Sequence, residues 1–135
     1  MSLELTESKD IREEEVVNLY RANKWSSANK PKQLVAALKN SHTLLTVRDK
    51  GKLIGLGNAI SDGHLVVYYP HLLVLPEYHG KGIGKMIMHR FQEKFKHFHQ
   101  QILVADGNAI EFYKHCGFSP AGNTQSMWIY TGNDH

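Results

Sequence analysis

The chain has a single cysteine, Cys116, which excludes an internal disulfide framework and any multi-cysteine metal site. No apolar run approaches the ~20 residues that a membrane-spanning helix needs. Internal repeats, low-complexity tracts and Pro/Gly/Ser-rich linkers are also missing, and 135 residues suit one domain spanning 1–135. The opening MSLELTESKD lacks the basic-then-apolar pattern of a secretory signal, so the expectation is a cytoplasmic protein that does not engage membranes. Charge of one sign is not concentrated anywhere. Sixteen basic residues against thirteen acidic ones leave a net charge of +3, without the clustered basic stripe of a nucleic-acid-binding domain. Nor does an acidic run mark a cleft for a polyamine. A mildly basic balance instead suits a small anionic ligand.

Hydrophobic residues make up 41% and charged residues 21% of the chain, enough for a globular core. Nine histidines, at 42, 64, 71, 79, 89, 97, 99, 115 and 135, are many for this length. They do not fall into HExxH or another recognised ligand spacing, so no metal is expected.

Apolar spacing predicts a helix over 8–22, capped by Ser8 or Asp10, and a second helix opened by Pro31. The period then changes to that of strands, over 43–47, 53–60 and 65–75, with turn signals at Asp49-Lys50-Gly51-Lys52 and Asp62-Gly63. Pro70 inside the third strand predicts a bulge or a sheet edge. A helix over 84–97, a short strand over 101–105, a helix over 108–115 ended by Gly117, and a last strand over 125–130 complete the order ααβββαβαβ. A three-strand meander followed by βα units implies an α/β (α+β) protein with a mixed sheet and helices on both faces.

The most informative stretch is LLVLPEYHGKGIGK, residues 72–85: a buried strand, a turn, a glycine-rich loop and a helix. Backbone N–H groups at such a helix N-terminus suit a phosphate or pyrophosphate. A Walker A loop does not fit, because Gly80 and Gly84 are separated by three residues and Met86 follows Lys85. A dinucleotide fingerprint does not fit either, because the glycines alternate at 80, 82 and 84 and a meander precedes them. The acetyl-coenzyme A pattern, Arg/Gln-x-x-Gly-x-Gly/Ala, is met by Gly82 and Gly84, with His79 in the Arg/Gln place.

With this loop and the later segment NAIEFYKHCGF, residues 108–118, the chain resembles the GNAT family of N-acetyltransferases. The second segment is similar to that family's N-x-x-x-x-Y-x-x-x-G-F stretch. The resemblance covers almost the whole chain. It implies a mixed, mostly antiparallel sheet flanked by helices, with two parallel strands that splay apart around the pantetheine arm of acetyl-CoA.

Residue by residue, the resemblance implies that Leu73, Val74 and Leu75 offer backbone groups to that arm. His79, Gly80, Lys81, Gly82, Ile83, Gly84 and Lys85 would hold the pyrophosphate. Asn108 and Phe112 would contact the coenzyme, and Tyr113 would protonate the departing thiolate. A backbone N–H near Leu73 would stabilise the oxyanion. His71 is the candidate base, with water as the alternative relay. Trp25 and Tyr69 are candidate acceptor walls, with Tyr68, Trp128 and Tyr130 as further aromatics. Cys116 is expected to pack rather than react. The implied activity is direct acetyl transfer from acetyl-CoA to a primary amine of a small molecule or peptide. The alternative is a module that binds acyl-CoA without transfer. The resemblance also implies a homodimer as the candidate assembly.

Overall fold

A computed structural model describes residues 1–134; of the nine histidines, His135 lies outside the described residues. Five strands form one sheet in the order of the chain: β1 (Leu3–Glu7), β2 (Thr43–Asp49), β3 (Lys52–Ser61), β4 (Val66–Val74) and β5 (Gln100–Ile102). All neighbours are antiparallel except β4 and β5, which run parallel. The helices are α1 (Glu13–Ala22), α2 (Pro31–Lys39), α3 (Ile83–Lys94) and α4 (Ala109–His115). Among the described residues no helix is long and apolar enough to cross a membrane.

Three elements differ from the expectation. An edge strand, β1, precedes the first helix. Its polar composition hides the period-2 pair Leu3 and Leu5, which pack against the core while Glu4 faces out. Helix α1 therefore starts at Glu13 and not at 8. Ser8 is drawn to the sheet by its N–H bond to Leu44 O, and Arg12 N–H is met by the Glu15 carboxylate at 3.0 Å. The expected last strand over 125–130 is absent. That segment alternates like a strand but finds no ladder partner, and Met127 and Ile129 stand in solvent. The chain turn at Gly117, by contrast, ends α4 as expected, with φ +100°.

The sheet is sandwiched. Val16, Leu19 and Tyr20 of α1 and Leu34 and Leu38 of α2 are buried, as are Ile83, Ile87, Met88 and Phe91 of α3. Helix α3 approaches β3 so closely that a Cβ on Gly57 would sit 2.9 Å from Ile87 and 3.0 Å from Phe91. Gly57→Ala is expected to cost about 1–3 kcal/mol by overpacking, seen as a lowered denaturation midpoint at unchanged slope. A wild-type midpoint would show that α3 simply moves aside.

The bulge predicted by Pro70 is present. Asn58 pairs with His71 and Ile60 with Tyr68, so three steps on β4 span two on β3. The extra residue flips the facing of the strand. Tyr69 packs against Phe91 of α3 (ring centroids 4.9 Å apart), whereas His71 faces Tyr20 of α1.

Candidate active site

Strand β4 carries the site because it loses a neighbour. Its pairing with β5 covers only Val66–Tyr68 against Gln100–Ile102, whereas its pairing with β3 runs on to Val74. Beyond Tyr68 the two parallel strands part, and β4 backbone faces an opening.

The alternation of the antiparallel ladder decides which groups look into that opening. Leu75 N–H donates to Ile54 O at 2.8 Å, and His71 N–H to Asn58 Oδ1 at 3.0 Å. Residues 71, 73 and 75 thus turn their backbone toward β3, and Leu72 and Val74 turn theirs outward. This corrects the expectation for Leu73 and Leu75, whose N–H groups serve β3; Leu72 takes the outward place. Asn58 makes the arrangement possible. It is buried, accepts the bulge-side N–H of His71 and donates to Ser41 Oγ at 3.0 Å.

A cavity of about 620 Å³ fills the opening. Leu72, Leu73 and Val74 line one side, Asn108, Phe112 and Tyr113 the other, and His79, Gly80 and the first turn of α3 through Lys85 close the end. Trp25 and Asn23, which follow α1, line it as well. The residues named from the coenzyme motifs come together here, apart from Leu75, which is buried behind β4, and Lys81, which lies outside the lining.

The glycine loop is shaped by two requirements. Gly82 caps α3 in the left-handed conformation (φ +80°), which side chains disfavour. Gly84 lies under Phe112, whose ring would be 3.2 Å from an added Cβ. Met86 N–H makes the first intrahelical bond, to Gly82 O, so the amides of Ile83, Gly84 and Lys85 have no acceptor within the helix. Together with the helix dipole they form an anion cradle at the cavity's end.

His79 does not reach into this cradle. Its Nε2–H donates to Val74 O at 2.7 Å and ties the loop to β4. The same carbonyl accepts from Asn23 Nδ2 at 3.0 Å, and Asn23 also bonds Leu19 O. Asn23 was missed in the sequence. Its signal is a side-chain amide at the C-cap of α1, where unpaired carbonyls need donors.

Tyr113 is half-buried, set edge-on to Phe112 and Phe118 (centroids 5.0 and 5.9 Å), and desolvation pushes its hydroxyl up to about 12. It remains a proton donor at any ordinary pH. Cys116 is buried, its thiol is raised by desolvation, and it does not line the cavity.

His71 and Trp25 meet edge to face at 5.2 Å, and Trp25 lines the cavity whereas His71 does not. Nδ1 of His71 shares a 2.8 Å hydrogen bond with the buried hydroxyl of Tyr20. Tyr69 lines a smaller side cavity beside Trp25 and Tyr113. It is 5% exposed, packs at a tilt against Phe91, and its hydroxyl donates to Gln101 Oε1 at 2.7 Å. The bulge turns that ring toward the core, where it packs while its edge meets the side cavity. The exposed aromatic of this strand is Tyr68.

Known proteins share this fold. The chain is 27% identical to an uncharacterised N-acetyltransferase, ycf52, of Pyropia yezoensis over 133 residues, covering 92% of this chain and 75% of the relative. It spans only 45–58% of the length of four further curated relatives, one of them chloroplastic, so family alone does not fix the compartment. Among solved structures, a GNAT-family acetyltransferase from Streptococcus pneumoniae superposes with a TM-score of 0.83 at 27% identity, covering 96% of this chain and 99% of that one. An aminoglycoside N-acetyltransferase solved in complex with CoA shares the fold, with a TM-score of 0.71 at 15% identity over 96% and 94% of the two chains. The sequence model of the acetyltransferase (GNAT) domain matches residues 7–128. The split parallel pair, the glycine-capped helix and these likenesses agree, and the chain belongs to the GNAT family of acetyltransferases.

Proposed function

We propose that the protein transfers the acetyl group of acetyl-CoA directly to a primary amine. The observation that carries this reading is the juxtaposition, on one cavity, of the α3 anion cradle, the outward amides of β4 and the Tyr113 side chain. The cradle and Lys85 suit the pyrophosphate. The pantetheine arm fits the gap that β5 leaves, where it meets Leu72 and Val74 as a strand would. Asn108 and Phe112 face it from α4.

The amine nitrogen bonds to the thioester carbonyl carbon, and the oxygen takes up the negative charge beside the Leu72 amide. The C–S bond then breaks, and Tyr113 gives its proton to the coenzyme thiolate. The acceptor ammonium loses its own proton to water, with His71, in ring contact with Trp25, as the alternative base. Transfer is direct, because neither cysteine nor serine lines the cavity among the described residues. Acceptor amines of small molecules and of peptides both fit this chemistry.

A melting curve with and without acetyl-CoA tests the coenzyme site. At about 100 times its dissociation constant the ligand adds ~2.7 kcal/mol, a rise of several degrees. The absence of a shift at millimolar ligand would sink the reading. A shift without thiol release over a broad amine panel would favour the binding module instead.

A further inference from the structure

The coenzyme cavity does not end at Tyr113. A side cavity of about 250 Å³ shares Trp25, Leu72, Ala109 and Tyr113 with it and adds Tyr69, Pro70, Val104 and Asp106. A third cavity, of about 400 Å³, shares Val104 and Asp106 with the second and adds Tyr68, Trp128 and Asp134. The three cavities follow one another along shared walls, from the glycine loop past Tyr113 to the C-terminal segment.

The series is polarised. Its coenzyme end has Lys85 and a helix N-terminus. Its far end has two carboxylates and two aromatic rings, and neither lysine nor arginine lines the two smaller cavities. This is a local negative field in a chain of net charge +3. Asp134 accepts hydrogen bonds from Ser26 Oγ (2.6 Å), Tyr130 OH (2.8 Å) and Ser26 N–H (3.0 Å), which hold its carboxyl below the usual range and latch the tail across the third cavity. The Asp106 carboxylate has no hydrogen-bond or ion-pair partner among the described residues. The two aspartates are far apart in sequence, so no acidic run announces them.

Resting on the transferase reading, we infer that the acceptor is a linear aliphatic diamine or polyamine. Its reacting amine lies beside Tyr113, and its distal ammonium lies between Asp106 and Asp134, against the rings of Tyr68 and Trp128. Carboxylates neutralise that second charge and ring faces attract it. An acceptor with one amine leaves the third cavity unused.

The test measures thiol release from acetyl-CoA with linear diamines from propane to octane length, each against the monoamine of equal length. At the favoured length the diamine is expected to exceed its monoamine in kcat/KM by about tenfold or more. In Asp106→Asn, and in Asp134→Asn checked for native circular dichroism, that ratio falls toward one. Equal rates for the two amines at every length, or a ratio untouched by both substitutions, overturns the inference and leaves the transferase standing. If acetyl-CoA raises the melting temperature but no amine is acetylated, calorimetric titration of the same amines into protein saturated with coenzyme A decides. Selective diamine binding lost in Asp106→Asn upholds the diamine site while the transferase reading falls. Equal binding of both amines overturns the diamine reading.

Discussion

Tyr113→Phe is expected to lower kcat by about a hundredfold or more while leaving the KM for acetyl-CoA nearly unchanged. The substitution removes one hydroxyl and keeps the ring that packs against Phe112 and Phe118. What it deletes acts on the thiolate only as the C–S bond breaks, so the loss belongs in the chemical step. Thiol release under saturating acetyl-CoA and amine measures it, and the unaltered melting shift by acetyl-CoA shows that binding survives. The wild-type pH profile supplies a second readout. Burial pushes the Tyr113 hydroxyl up to about 12, so its ionisation does not reduce kcat near pH 10, where an exposed tyrosine would titrate. The sign for stability is the same. A folded-state pKa above the unfolded one contributes stability that is complete below pH ~10 and is lost as pH rises toward 12. A Phe variant with wild-type kcat would assign proton delivery to solvent.

Asn58→Leu is expected to destabilise the fold by about 2–4 kcal/mol, lowering the melting temperature by roughly 10 °C. Asn58 is 3% exposed and serves two partners at once, the His71 N–H and Ser41 Oγ. Leucine fills a similar volume but leaves the His71 N–H without an acceptor at the bulge. The bulge sets the facing of β4, so amine transfer should fall by more than the melting shift by acetyl-CoA does. A variant as stable as wild type would mean that the bulge is held by its ladder and by Pro70 alone.

The glycine loop and the α4 segment were legible because their chemistry is local. A helix N-terminus approached by an anion needs glycines at fixed offsets, and α4 needs Gly117 at its end. These constraints act between residues a few positions apart. They were sufficient to gather Gly80, Gly82, Ile83, Gly84, Lys85, Asn108, Phe112 and Tyr113, which line one cavity. Strand β1 escaped notice because it turns only alternate residues, Leu3 and Leu5, toward the core and is otherwise polar. The segment over 125–130 misled for the opposite reason, since alternation makes a strand only where an edge is there to receive it.

Spacing, turn chemistry and the two motifs decided the family, the order of most elements and the coenzyme end of the site. Pairing across the sheet decided the rest. The ladder's alternation exchanged Leu73 for Leu72, and one bulge residue sent Tyr69 into the core and His71 to the α1 face. Folding of the tail brought Asp134 to the wall that Asp106 shares. Such outcomes depend on register and on contacts between distant segments, where a shift of one residue reverses every facing, and no local pattern carries that information.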